Sequence, residues 1–313
     1  KGRISGTLEY FYRKTSDMLF FFTVPASLGY SGYYDNIGDM RNAGVELALN
    51  GVIFNKKNFT WDVYANATHY KNELLELPAD RPQDGWATGG YFRKKGESIY
   101  NYYDYEFAGV DPNNGDALYW ADELDADGNV IGRKTVVGTT NATRYELDKT
   151  PIPDVYGGFS TTLEAYGFDL TANFAYQIGG YAYDTQYQQL MNSGSAGDNW
   201  HKDILNSWTP QNKNSNIPRL RYTEKYAQNG LTDRFFSDAS YWNIQNVNFG
   251  YTLPKSVVEK MGMTNMRVFF SGENLFYISA RQGLDPRQSL SGVQNPEMYS
   301  PMRTISGGVS LTF

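Results

Sequence analysis

Over much of this chain apolar side chains recur at every second position, and a period of two commits the backbone to extended strands rather than helices. The clearest case is a hairpin: Val155, Phe159, Thr161, Leu163 and Ala165 alternate with other residues, a turn follows at 166–168, and Phe168, Leu170, Ala172, Phe174, Tyr176 and Ile178 continue the rhythm. The same pattern predicts strands at 2–14, 43–54, 58–71, 98–110, 117–120, 240–252 and 265–276, and over the last eleven residues, about ten in all. That last stretch puts Ile305, Gly307, Val309, Leu311 and Phe313 on one parity and Thr304, Ser306, Gly308, Ser310 and Thr312 on the other.

Two architectures bury such strands. A soluble β-sandwich accounts for any single one of them, because its strands are half-buried too. What separates the alternatives is the character of the two faces. Charges sit inside strands on the polar parity (Arg3, Glu9, Arg13, Glu46, Asp62, Glu164, Asp169), and the apolar parity begins or ends in aromatic residues. With 26 Tyr, 18 Phe and 6 Trp beside 31 Gly, this fits a lipid-facing band with aromatic girdles around a wet lumen better than a dry sandwich core. Short turns such as 55–58 alternate with long polar loops at 72–97, 122–150 and 181–236, the asymmetry expected of an outer-membrane barrel. Helix is expected only at 254–262, which opens on Pro and closes on Gly, and at 185–192. The oiliest run, 18–26, is far short of the roughly 20 apolar residues of a membrane-spanning helix and contains Pro25. The chain opens already in strand rhythm, so it reads as the continuation of something longer.

Several chemistries are disfavoured. Absence of Cys removes disulfides and thiolate sites, and His69 and His201 alone make a zinc site or a histidine base improbable. A formal charge of −6 without clustered Lys and Arg argues against nucleic acid. In 121–132, Asp125, Asp127 and Asn129 suggest a calcium loop, but neither register supplies both the Gly and the closing Glu, so an Asp-Gly turn is the better reading. Asn58, Asn66 and Asn141 match glycosylation acceptors, two of them inside strands. No catalytic set has meaningful spacing. No enzyme activity, metal or cofactor is therefore expected.

Taken together, "NIGDMRNAGVELAL" (36–49), "AGVDPNNGDALYW" (108–120), "WTPQNKNSNIPRL" (208–220), "SDASYWNIQNVNFGYTLP" (237–254), "RVFFSGENLFYIS", "GLDPRQ" and the final "GGVSLTF" resemble the C-terminal part of the SusC/RagA family of TonB-dependent outer-membrane transporters of Bacteroidetes. Trp242 and Gln245 depart from the family, which often has Arg and Lys there. The resemblance covers essentially all of 1–313 and implies an all-β fold: the C-terminal portion, about ten antiparallel strands, of a barrel of about 22 strands, with the plug outside this chain. It also implies several partners: the remaining N-terminal half of the barrel and its plug, TonB acting through that missing part, outer-membrane lipid, and a SusD-like surface lipoprotein closing over the barrel as a lid. Import of an oligosaccharide or oligopeptide across the outer membrane follows, the alternatives being a passive porin-like or structural surface barrel and a secreted carbohydrate-binding sandwich. Aromatics among Asn and Asp in the loops suit stacking on sugars or peptide backbones. Trp86, Tyr91, Trp200, Trp208 and Tyr226 are the expected loop contacts to substrate or lid.

Overall fold

The computed structural model describes residues 2–36, 38–78, 81–191, 197–221, 232–295 and 297–313. Eight strands make one continuous antiparallel sheet, here called the wall: Ile4–Thr15, Asp39–Lys56, Phe59–Glu76, Val155–Ala165, Phe168–Ile178, Tyr241–Thr252, Asn265–Ser279 and Thr304–Thr312, paired in that order. These are eight of the ten expected strands. The other two, expected at 98–110 and 117–120, do not join the wall. Asn101–Tyr105 pairs with Tyr91–Arg93 and Arg144–Glu146, while Phe107–Val110, Ala117–Leu124 and Val130–Val137 form a separate three-stranded sheet.

Register explains why the wall forms. Outward rows cross it side by side, as in Leu49, Ala65, Phe159, Phe174, Ile244 and Phe276, paired in turn strand to strand. One row nearer the loop ends come Tyr176 and Trp242, and two rows nearer the turns come Leu163, Leu170, Phe249 and Phe270. Between the aromatic rows runs a smaller one of Val63, Thr161, Ala172 and Val247. Rings stack along these rows: Phe159 lies 4.2 Å from Phe174, and Phe174 lies 5.6 Å from Trp242. Among the described residues no second sheet covers this face, and Phe159 is 39 % and Val309 55 % exposed. A sandwich would have buried them; a wall against hydrocarbon leaves them outward. The opposite face carries Ser5, Asn50, Tyr64, Ser160, Asn173 and Asn246, paired across successive strands.

Connections segregate to the two edges. At one edge the links are residues 57–58, residues 166–167 and a segment with a helix at Lys255–Val258 and a 3-10 turn at Glu259–Met261. Tyr166 and Gly167 both have positive φ, 51° and 92°, which gives the primed turn that matches strand twist. At the other edge lie the long segments 16–38, 77–154, 179–240 and 280–303. These are not open polar loops. They carry the four small sheets, including a hairpin of Leu19–Thr23 with Gly32–Asn36, and the expected helix at Thr185–Leu190, capped by Asp184. Most of the buried apolar side chains also lie there, among them Tyr102, Tyr119, Met191, Ile204, Trp208 and Phe235. The dry core of this chain is thus in the loop cap, beside a wall that has almost none.

Candidate functional site

Where the polar face of the wall meets the cap, a cavity of about 510 Å³ opens. Its floor is the loop end of the wall strands: Asn42, Tyr70, Asn72, Tyr156, Gln177 and Tyr241. Tyr156, Gln177 and Tyr241 share one rung of the sheet, so alternation sends all three to the same side. Tyr70 meets Tyr156 edge to face at 6.2 Å. The sides come from the cap, through Tyr100, Pro151, Tyr181, Arg287 and Ser289.

The floor and sides are fixed to each other by hydrogen bonds. Asn72 Nδ2 donates to Asn42 Oδ1 at 2.9 Å, while Asn72 Oδ1 accepts from Ser98 Oγ and the Ile99 amide, tying segment 98–100 to the wall. Gln177 Nε2 donates to the Ala239 carbonyl at 3.1 Å. Segment 289–292, the roof of the cavity, is held by two tyrosines: Tyr91 Oη donates to the Ser291 carbonyl at 2.5 Å, and Tyr102 Oη lies 3.3 Å from the same carbonyl and 3.0 Å from that of Tyr181. Burial pushes both hydroxyls above the ordinary tyrosine range, so they remain protonated donors.

Further from the cavity, the sequence motifs turn out to be partners. In the Asp111–Gly115 turn, Gly115 has φ +78° and lies where an added Cβ would strike the Trp208 ring at 2.5 Å; Trp208 Nε1 donates to the Pro112 carbonyl. Arg219 and Arg221 both reach Asp116, at 2.9 and 3.1 Å. In the first motif, Asp39 pairs with Lys14, Arg41 with Glu73, and Gly44 lies too close to the His69 carbonyl for any side chain. Buried Asp184 pairs with Arg281, joining segment 179–240 to segment 280–303. Asp125 accepts from the amides of Asp127 and Asn129, the geometry of a hairpin turn between Ala117–Leu124 and Val130–Val137. His69 Nδ1 donates to the Asp154 carbonyl, and His201 Nδ1 accepts from the Asp203 amide at a 3-10 N-terminus. Among the described residues no cluster of three or more His, Asp or Glu could hold a metal.

None of the four described aromatics expected at the site lines the cavity. Tyr91 stacks on Tyr102 at 5.5 Å and supports the roof from behind. Trp86 packs 6.4 Å from Phe22, Trp208 is buried against the 111–115 turn, and Trp200 is 44 % exposed on the cap. Tyr226 lies outside the described residues. The cavity's own residues were missed because their membership depends on strand register and on which loops fold back. The available signal was Tyr, Asn and Gln on the polar parity at the loop ends of strands. A second hollow of about 630 Å³ occupies the turn end of the same face, lined by Thr60, Glu164 and Asp169, where Arg267 pairs with Asp169.

No protein-family model matches the chain. It is 28 % identical to TonB-dependent receptor P3 of Formosa agariphila, over 99 % of this chain and 32 % of the receptor. It is 25 % identical to the TonB-dependent receptor SusC of Bacteroides thetaiotaomicron, over 100 % of this chain and 30 % of that protein. The chain thus spans about a third of the length of these curated relatives. Among solved structures, the RagAB peptide transporter superposes with a TM-score of 0.82 at 27 % identity, covering 99 % of this chain and 34 % of the matched one. The RagAB peptide importer in its open-open state superposes at 0.78 with 25 % identity, covering 99 % of this chain and 33 % of the matched one.

Proposed function

We infer that this chain, which by its likeness along the whole sequence is a SusC/RagA-type TonB-dependent receptor segment forming the C-terminal part of the β-barrel, serves the import of an oligomeric nutrient. The segment contributes eight wall strands and the cap to a receptor in the outer membrane of a Gram-negative, Bacteroidetes-like bacterium. The cap faces the cell exterior, the N-terminal half of the barrel and the plug complete the lumen, and TonB acts through that N-terminal part. A SusD-like surface lipoprotein closes over the cap. The similar solved structures are of the RagAB peptide importer, which supports an oligopeptide as cargo, an oligosaccharide being the other reading.

One observation carries the reading: the cavity at the loop end of the polar face, floored by Tyr rings and carboxamides. Carboxamides donate and accept at once, and Tyr offers both a ring face and a hydroxyl, so such a floor can hold a hydroxyl- or amide-rich chain in several registers. Because Asn72 and Gln177 are already fixed by the cap, ligand binding need not order the floor first. The polar face below then offers a wet route toward the turn end. Trp86, Trp200, Trp208 and Tyr226 remain candidates for contacts with substrate or lid, with Tyr91 acting through the roof.

The test is uptake of labelled neutral glycans and oligopeptides by cells carrying or lacking the full-length gene, with and without a protonophore. Uptake lost on deletion and on collapse of the proton gradient supports the coupled importer. Uptake that survives the protonophore would instead mark a passive barrel.

A further inference from the structure

The charge of the cavity is set by one pair of residues, Arg287 and Asp285. Of the described residues lining the cavity, Arg287 alone bears a charge. Its guanidinium is already engaged: Nε donates to Asp285 Oδ1 at 2.7 Å and one terminal nitrogen to Oδ2 at 2.6 Å, a bidentate fork. Asp285 is 2 % exposed and lies beneath the arginine. The guanidinium carbon also sits 4.4 Å over the Tyr277 ring and 5.8 Å over Tyr241, both on wall strands, which seats it against the floor. Burial pushes the Asp285 carboxyl up, and Arg287 more than offsets this, leaving it below the ordinary carboxylate range and ionised at neutral pH. Lys149 lies 5.5 Å over Tyr181 but does not line the cavity.

We propose that Asp285 is a specificity-determining residue of the candidate binding cavity, neutralising Arg287 so that the site accepts uncharged chains and refuses acidic ones. This rests on the reading of the cavity as the nutrient site. A carboxylate- or sulfate-bearing ligand would seek the guanidinium, the group whose fork best fits such oxyanions, and finds the Nε-side fork closed and the positive charge already balanced by Asp285. To take that fork it would have to displace a buried carboxylate, which would then be left unpaired, and at the remaining N–H groups it meets a pair with no net charge to attract it. An uncharged ligand asks only for the hydroxyls, rings and carboxamides around the pair.

Asp285→Asn tests this, because Asn keeps the side-chain oxygen that accepts the Arg287 amide at 3.1 Å while removing the charge. The full-length receptor in detergent, with its lid protein, is titrated calorimetrically with neutral and acidic probes of equal length. Both oligosaccharides (neutral and uronate-bearing) and oligopeptides (uncharged and glutamate-bearing, with blocked termini) are used. The wild type should prefer the neutral probe, in whichever chemistry binds, by about tenfold or more, the usual worth of one charge-assisted contact. Asp285→Asn should shift that ratio toward the acidic probe by about tenfold. The double variant Asp285→Asn with Arg287→Gln should lose the gain again. A ratio unchanged by Asp285→Asn, or an acidic preference that survives the double variant, overturns the charge filter while leaving the binding site standing. Failure of every probe to bind overturns the site and the filter together.

Discussion

Gly292 has no room for a side chain. Its φ is +78°, and an added Cβ would lie 1.8 Å from Tyr102 Oη and 2.4 Å from Pro151 Cβ. Gly292→Ala should therefore cost about 1–3 kcal/mol locally and open the 280–303 segment to limited proteolysis; unchanged cleavage would show that the roof is not held this way. Asp104 gives a pH-dependent counterpart. Its carboxyl is buried in the cap, 5 % exposed, and burial pushes its pKa up to about 6 although the Tyr105 amide donates to it. Between pH 4 and 6 the folded chain thus holds a proton that the unfolded chain has released, so stability falls as pH rises through that window and levels off above it. Asp104→Asn keeps an acceptor for the amide and removes this loss. It should raise the thermal midpoint at pH 7, by the equivalent of about 1–3 kcal/mol, and leave it nearly unchanged at pH 4. An equal gain at both pH values would contradict burial as the cause.

At the scale of elements, the two faces of a wall strand should answer differently to the same substitution. Val247 lies in the outward row of small residues, while Ser271, paired with Asn248, faces the polar side. Val247→Arg should cost about 2–4 kcal/mol of folding in lipid and Ser271→Arg within about 0.5 kcal/mol, read from the folded, heat-modifiable band after membrane insertion. Equal losses would mean that hydrocarbon does not cover the outward face. All eight wall strands were legible from alternation, as were the helices at 185–192 and 254–262, because local period and caps suffice to specify them. Phase shifts within them were not. Register slips at Ile53 and Gln245 insert one residue each, so Phe54 rejoins the outward face of Leu49, and Trp242 and Ile244 the outward face of Val247, on the opposite numerical parity. The cap was also opaque: its strands are mostly three to five residues long, and pairs such as Arg144–Glu146 with Asn101–Tyr105 leave no periodic trace. Segment 98–110 did look like a strand, but Tyr102 and Asp104 point into the cap's core and not toward lipid.

For the whole molecule, the wall's order ends at Ile4–Thr15 on one side and Thr304–Thr312 on the other. Each end presents unpaired backbone groups, which hydrocarbon does not tolerate. Expressed alone, this chain should self-associate in detergent and give no discrete barrel, whereas joined to the strands that we propose complete the barrel it should yield a heat-resistant monomer on gels. A monodisperse isolated chain would oppose the partial-barrel reading. The separation of a dry cap from a coreless wall has one more outcome. The cap answers to water and the wall to lipid, so denaturant and bilayer thickness should act as independent controls on the same polypeptide. Urea would melt the cap while the membrane part stood, and a thinner bilayer would strain the membrane part while the cap stood; under the proposed function, evolution can therefore rework what is recognised without renegotiating how the protein is anchored.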